Sequence, residues 1–247
     1  MQPLSAAHLL DVWERGRART PVERAVLLLC AACPESDFEA IAGLPVGRRD
    51  GLLLTLRDWT FGSDLTGLLE CPACGQRVEV SFRSDAIRAG VGAELADAAE
   101  PLTLTADAIE VQFRLPNSRD LMAFPAGDDV DSARRLLMQR CVVSARRGSE
   151  PIAASELPPS VVAETASRMA QADPQADVQL DLRCPACGTA WQAAFDMPAY
   201  FWSEIDAWAQ CTLGEVHVLA RTYGWRESDI LALSPGRRRL YLEMVSG

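Results

Sequence analysis

Lysine is absent from this chain. All 24 basic residues are arginine, and they stand against 34 aspartates and glutamates for a formal net charge of −10. An acidic balance of that size argues against a general nucleic-acid binder, which needs a cationic surface to displace counterions from phosphates. It leaves room for a local basic patch. Histidine is nearly absent as well. His8 lies near the start and reads as a surface residue, and His217 sits beside Glu215 and Val216 with no nucleophile for it to serve. No Ser-His-Asp order, His-Glu-x-x-His pattern or phosphate-binding loop occurs, so the usual hydrolase and nucleotide signatures are missing. Paired carboxylates such as Asp128-Asp129 stand in turn-like, solvated settings. The chain reads as non-enzymatic.

Long apolar runs are also missing. The longest spans residues 25–33, well short of the ~18 residues a membrane helix requires. The first residues lack the basic-then-apolar texture of a secretory signal. The expected location is the cytoplasm, where eight cysteines read as thiols or metal ligands sooner than as disulfides.

What is present is a globular composition. Hydrophobic residues make up 49% of the 247, enough to offset ordering entropy by burial. Ser5 can cap a first helix carrying Leu9, Leu10 and Trp13, and Thr20-Pro21-Val22-Glu23 is a capping box with proline at the first helical position. A further helix is expected over residues 46–61, with Leu52, Leu53, Leu56 and Trp59 facing the core, ended by Gly62. Residues 65–82 then read as two short strands, residues 90–101 as a loop and residues 109–115 as a strand. Helices follow at 129–141, with Leu136 and Leu137 inside, and at 160–170. A second strand–turn–strand unit covers 178–195. Beyond it, a long helix at 200–221 is closed by Gly224, and two shorter ones run to the end.

One internal repeat stands out: Cys-Pro-Ala-Cys-Gly at 71–75 and again at 184–188, each between two strands. Two residues between cysteines let both sulfurs reach one ion from a tight turn, and the following glycine supplies a positive backbone dihedral. Two such turns predict a four-thiolate structural zinc site on Cys71, Cys74, Cys184 and Cys187, although ribbons ordinarily space their halves by roughly 15–20 residues. Four thiolates close the coordination shell and leave no position for catalysis. A dithiol redox role fits poorly, because the attacking thiol of such enzymes sits at a helix N-terminus. Cys30 and Cys33 fall near the C-terminal end of an apolar helix and read as buried structural thiols, and Cys141 and Cys211 read as core residues on helices.

The C-terminal segment gathers Phe201, Trp202, Trp208, Tyr223 and Trp225, then Arg237-Arg238-Arg239 and Tyr241. Aromatics and arginine are enriched at interfaces. Trp202, Tyr223, Trp225, Arg237, Arg238, Arg239 and Tyr241 are therefore candidates for a contact surface, against the alternative of a helical hairpin core with a solvated arginine face. The order of motifs now carries a likeness. The cysteine turns bracket Phe-Arg-Leu-Pro-Asn-Ser-Arg-Asp-Leu at 113–121. Phe-Trp-Ser-Glu-Ile at 201–205, Glu-Val-His at 215–217, Tyr-Gly-Trp at 223–225, Asp-Ile-Leu-Ala-Leu-Ser at 229–234 and Arg-Arg-Arg-Leu-Tyr-Leu at 237–242 follow. Over residues 5–245 the chain resembles the baseplate hub assembly proteins of T-even-type contractile phages, in the version found in bacterial gene clusters for contractile injection systems.

That resemblance implies an assembly factor or component of a baseplate, whose partners are baseplate, hub or tube proteins, with no membrane and no small-molecule substrate. The alternative is a zinc-ribbon regulator or nucleic-acid binder, supported only by the arginine run. The expected fold is α+β. It comprises an N-terminal helical segment (1–63), a small antiparallel sheet region organised by a split four-cysteine zinc ribbon with a helical insertion (64–197), and a C-terminal helical segment (198–247), together one cooperative unit.

Overall fold

The computed structural model describes residues 1–89, 101–124 and 129–246. Most of the loop expected at 90–101, and Asp128, lie outside those residues. Helices α1 (Ala6–Gly16) and α2 (Pro21–Ala32) begin as their caps dictate: Ser5 accepts from the His8 N–H, and Thr20 and Glu23 form the reciprocal capping box. A short α3 (Phe38–Ala42) leads into α4 (Val46–Phe61). Strands β1 (Asp64–Glu70) and β2 (Arg77–Arg83) form a hairpin. Next come β3 (Leu102–Ala106), β4 (Ile109–Phe113), α5 (Ser118–Met122), α6 (Val130–Cys141), β5 (Val142–Arg147), β6 (Glu150–Pro151) and α7 (Pro159–Ala172). The second hairpin is β7 (Gln179–Arg183) with β8 (Ala190–Ala194), and α8 (Met197–Tyr223), α9 (Glu227–Ala232) and α10 (Pro235–Ser246) complete the described chain.

Three apolar clusters organise these elements. In the largest, α1, α2, α3 and α4 pack with Leu65 of β1 and the first half of α8, from Met197 to Ala209. Helix α4 is enclosed on nearly all sides until its last turn, where the chain emerges; Trp59, expected in the core, is consequently 47% exposed. The second cluster joins β4, α6, β5 and α7, with Met138 and Cys141 as the buried side chains of α6 and Leu137 only partly covered. The third is small: Val216, Leu219 and Ile230, with Trp225, Tyr241 and Leu242 packed against them.

A four-stranded antiparallel sheet, in the order β3-β4-β5-β6, supports the second cluster. Only β4 of this sheet is legible as a strand from the sequence. Its hairpin to β3 turns on Asp107 and Ala108, both with positive φ. Such a turn normally advertises itself by Asn-Gly or Asp-Gly, and here Ser160 instead donates its hydroxyl proton to the Asp107 carboxylate. Strand β5 starts directly where α6 ends, so no glycine or proline marks the change.

The second cluster is tied to the first at the N-terminal end of α4. Val46 N–H donates to the Pro116 carbonyl (3.0 Å), Gly47 N–H donates to Asp173 (2.9 Å), and buried Arg49 donates to Ser118 (3.1 Å). Gly47 is required there, because a Cβ on it would lie 2.0 Å from the Asp173 carboxylate.

Residues 113–121 build the other tie. Asp120, fully buried, accepts a bidentate pair from Arg114 (2.6 and 2.9 Å) and a third bond from Arg140 on α6 (3.0 Å), while Asn117 and Asp120 cap α5 reciprocally. Burial pushes the Asp120 carboxyl up, but the Arg114 guanidinium, the Asn117 N–H and Arg140 together hold it below the ordinary carboxylate range. A depressed native value means that this contribution is present above the unfolded pKa of ~3.9 and is lost as pH falls through the native value. Replacing Asp120 with asparagine leaves two arginines without their anion and should cost about 3 kcal/mol at neutral pH. Urea unfolding of wild type and Asp120→Asn at pH 7 and pH 3 checks this: the gap should narrow on acidification. An equal gap at both values would contradict the assignment.

Candidate metal centre

Each cysteine turn is built by the same two backbone bonds. Gly75 N–H donates to the Cys71 carbonyl and Cys71 N–H to the Gln76 carbonyl; Gly188 N–H donates to the Cys184 carbonyl and Cys184 N–H to that of Thr189, all at 2.9 Å. Gly75 and Gly188 have φ of 70° and 76°, a conformation in which a side chain would be strained. The likeness extends along both hairpins. Shifting the first register by the offset between Cys71 and Cys184, 113 residues, reproduces the second: Gly67↔Val80 becomes Leu180↔Ala193.

The two turns meet reciprocally. The Cys71 sulfur lies 3.7 Å from that of Cys187, and the Cys74 sulfur 3.7 Å from that of Cys184. All four sulfurs fall within 4.8 Å of one another, close enough to hold one metal ion, and this is the one such His/Cys/Asp/Glu group among the described residues. Cys71 and Cys184, the first of each turn, are buried, and Cys74 and Cys187, the second of each, are exposed. The equivalent Phe82 and Phe195 also meet, edge to face at 5.6 Å. Pairing and burial thus share an approximate two-fold relation.

The thiols are not electrostatically alike. The Thr189 hydroxyl, 3.3 Å from the Cys187 sulfur, and its N–H draw Cys187 down to about 6. Cys74 is drawn down by the Gln76 N–H but pushed up to about 12 overall by the sulfurs of Cys187, Cys184 and Cys71. Sulfurs so crowded oppose ionising together, and a cation among them reverses that opposition.

Three residues that sequence reasoning missed hold the hairpins in place: Tyr200, Arg57 and Glu204. Tyr200 on α8 lies tilted against Phe195, ring centres 5.2 Å apart; its hydroxyl accepts from Thr66 N–H (3.0 Å) and donates to the Thr66 carbonyl (3.1 Å), fixing β1 to α8. Arg57, buried on α4, makes a bidentate pair with Glu204 of α8 (2.6 and 2.9 Å) and donates to the carbonyls of Gly62 and Asp64 at the entry to β1. The contacts Tyr200–Thr66 and Arg57–Glu204 each span over a hundred residues, so local pattern carried no signal for them.

The remaining cysteines stay apart from this site. Burial pushes the Cys30 and Cys33 thiols up, and it pushes Cys141 up to about 11. Cys211, expected inside, is exposed: the buried stripe of α8 runs through Ile205, Ala209, Thr212, Val216 and Leu219 and passes it by. His8 and His217 are exposed.

Of the seven residues singled out as a contact surface, two are interior. Trp202 is 7% exposed beneath Arg24, whose guanidinium lies 4.5 Å from the ring centre. Arg238 is 3% exposed and bonded to Glu215 (2.8 Å). Tyr223, Trp225 and Tyr241 pack on one another, with Tyr223 and Trp225 stacked at 4.7 Å and Trp225 and Tyr241 edge to face at 4.9 Å. Arg237 and Arg239 are exposed. Among the described residues, no helix is long and apolar enough to cross a membrane.

The family described as T4 bacteriophage base plate protein matches residues 9–202. The match includes both cysteine turns and the 113–121 stretch. It stops short of the Tyr-Gly-Trp and Arg-Arg-Arg motifs, so the resemblance read over 5–245 is broader than the match. No curated protein and no solved structure matches the chain.

Tyr200→Phe removes both bonds to Thr66 while keeping the ring against Phe195. It should lower stability by about 1–2 kcal/mol, read by chemical denaturation. An unchanged midpoint would mean that the hairpin is held without it.

Proposed function

Because the chain belongs to the T4 bacteriophage base plate protein family, we propose that it is a non-enzymatic assembly factor or component of the baseplate of a phage-tail-like contractile particle, stabilised by one structural zinc ion on Cys71, Cys74, Cys184 and Cys187. The family match over both cysteine turns carries the baseplate reading. The sulfur spacing supports the zinc. A tetrahedral ion with bonds of about 2.3 Å separates its ligands by about 3.8 Å, against 3.7 Å for the Cys71–Cys187 and Cys74–Cys184 pairs. An all-thiolate donor set at that spacing suits zinc. When bound, the ion would supply cross-linking rather than chemistry, since four ligands leave no open position.

The segments 1–63, 64–197 and 198–247 act as one cooperative unit on this reading, since α8 enters the same core as α1–α4 and the site joins both hairpins. The partners are baseplate, hub or tube proteins met in the cytoplasm during assembly, where the chain serves as a chaperone or is retained. Affinity capture of the tagged protein from cells producing the particle should recover tube, sheath, spike or baseplate proteins. Recovery of nucleic acid or polymerase instead would favour the regulatory reading.

Metal analysis of purified protein should find one zinc per chain. Structural zinc contributes roughly 10–16 kcal/mol in small peptides, comparable to the whole stability of a domain. Cys74→Ser should therefore aggregate or melt far below wild type. A soluble, zinc-loaded Cys74→Ser protein with an unchanged melting curve would sink the zinc assignment.

A further inference from the structure

Helix α10 presents a face that nothing in the described structure covers. Arg238, Tyr241 and Leu242 turn inward, onto Glu215 and the aromatic cluster. Opposite them, Leu240 is 57% exposed and Met244 70%. These two are one helical turn apart, and Gly236 extends the stripe by another turn with no side chain to interrupt it. Arg237 flanks the stripe on one side and Arg239, with Glu243, on the other. Neither Arg237 nor Arg239 has an ion pair among the described residues, and nearby Arg221 and Arg226 are likewise exposed and unpaired. The contrast with the buried, paired arginines Arg49, Arg57 and Arg238 is sharp.

Charge indicates what this face is suited to meet. Residues 203–247 carry five arginines and six acidic residues, a net −1, which leaves −9 on residues 1–202 out of the total of −10. An acidic partner is repelled by the body of the protein and drawn to α10. Two copies meeting through α10 itself would oppose arginine to arginine. Docking α10 on the acidic body of another copy is head-to-tail and, unless a ring closes, continues into a filament. We propose that α10 is the docking element of this protein for a different protein of the particle, whose complementary surface has an apolar centre and a carboxylate rim. Leu240 and Met244 supply the apolar contact, Arg237 and Arg239 the charge-assisted hydrogen bonds, and the Tyr223–Trp225–Tyr241 cluster holds the helix in place. This rests on the baseplate reading and adds the surface and the partner's chemistry to it.

The test uses the full-length chain and the purified tube, spike and baseplate proteins of the same particle, each titrated separately by calorimetry at two salt concentrations. Two double variants are compared with wild type: Leu240→Ser with Met244→Ser, and Arg237→Glu with Arg239→Glu. All four side chains are exposed, so melting temperatures should stay within a few degrees of wild type. At least one particle protein should bind wild type, more weakly at higher salt. Each double variant should weaken that binding at least tenfold, and acid-to-arginine changes on the partner should restore binding to the glutamate variant. Wild-type affinity in both double variants would overturn the α10 assignment while leaving the baseplate reading intact. Failure of wild type to bind any particle protein would overturn both. Concentration-dependent self-association of wild type, abolished by the same variants, would make a second copy the occupant and refute the assignment to a different protein.

Discussion

Everything between the two cysteine turns is a closed loop, and the structure depends on closing it. Cys71 and Cys187 are 116 residues apart in sequence and Cys74 and Cys184 are 110 apart. Joining the ends of a flexible segment of that length opposes chain entropy by roughly 4–5 kcal/mol. Four sulfurs alone do not align themselves against that. The alignment is made by the framework around them: Arg57 clamps the entry of β1 to α8, Tyr200 fixes Thr66 of β1 to the same helix, and Phe82 meets Phe195 between the hairpins. Helix α8 begins three residues after β8 ends, so positioning α8 in the first core positions the second hairpin too. A metal ion in this setting would lock an arrangement that packing has already selected.

The absence of lysine bears on how that framework holds. The ties between elements use arginine as a planar fork. Arg57 spans Glu204 and two carbonyls, Arg114 meets Asp120 with two parallel bonds, and Arg238 joins Glu215 to the Leu233 carbonyl. A lysine ammonium cannot reproduce a bidentate pair, and burying it displaces more tightly held water. Arg57 joins segments 147 residues apart, Arg238 bridges 23 residues to Glu215 and Arg114 only six to Asp120, and each holds two neighbouring elements at a fixed angle. They specify which parts meet, while the apolar clusters supply most of the driving force.

Much of this architecture was legible from local pattern. The caps at Ser5, Thr20 and Gly224 and the strands around both cysteine turns rest on interactions within a few residues, and the structure places them as expected. The pairing of the turns was legible because a repeated Cys-Pro-Ala-Cys-Gly leaves thiolates in need of a partner. The four-stranded sheet was not. Its first hairpin uses Asp107-Ala108 where the expected turn residues are absent, and β5 follows α6 without punctuation. Trp59 was misplaced because helical periodicity does not show where along its length a helix leaves the core, and Cys211 because it lies off the buried stripe of α8. The roles of Tyr200 and Arg57 arise from contacts across more than a hundred residues, and only the assembled fold reveals them.

The family match ends at residue 202, inside α8 and inside the first core, which runs on through Ile205 and Ala209. Up to that point the family match covers most of the first core, the insertion and both cysteine turns. Beyond Ala209, the last fully buried residue that α8 gives the first core, Leu213 still packs on that core, and α8 carries a small cluster whose Leu231 touches it as well. A unit held by three buried residues and an aromatic trio could not fold alone; it is stable because α8 runs unbroken from the main core into it and Leu231 of α9 packs on that core. That continuity makes the distal helices a rigid extension rather than a tether. A rigid extension loses little entropy on docking, so even a modest stripe such as Leu240 and Met244, edged with unpaired arginines, can serve as a specific contact. The same side chains on a flexible tail would lose much of their interaction energy to ordering.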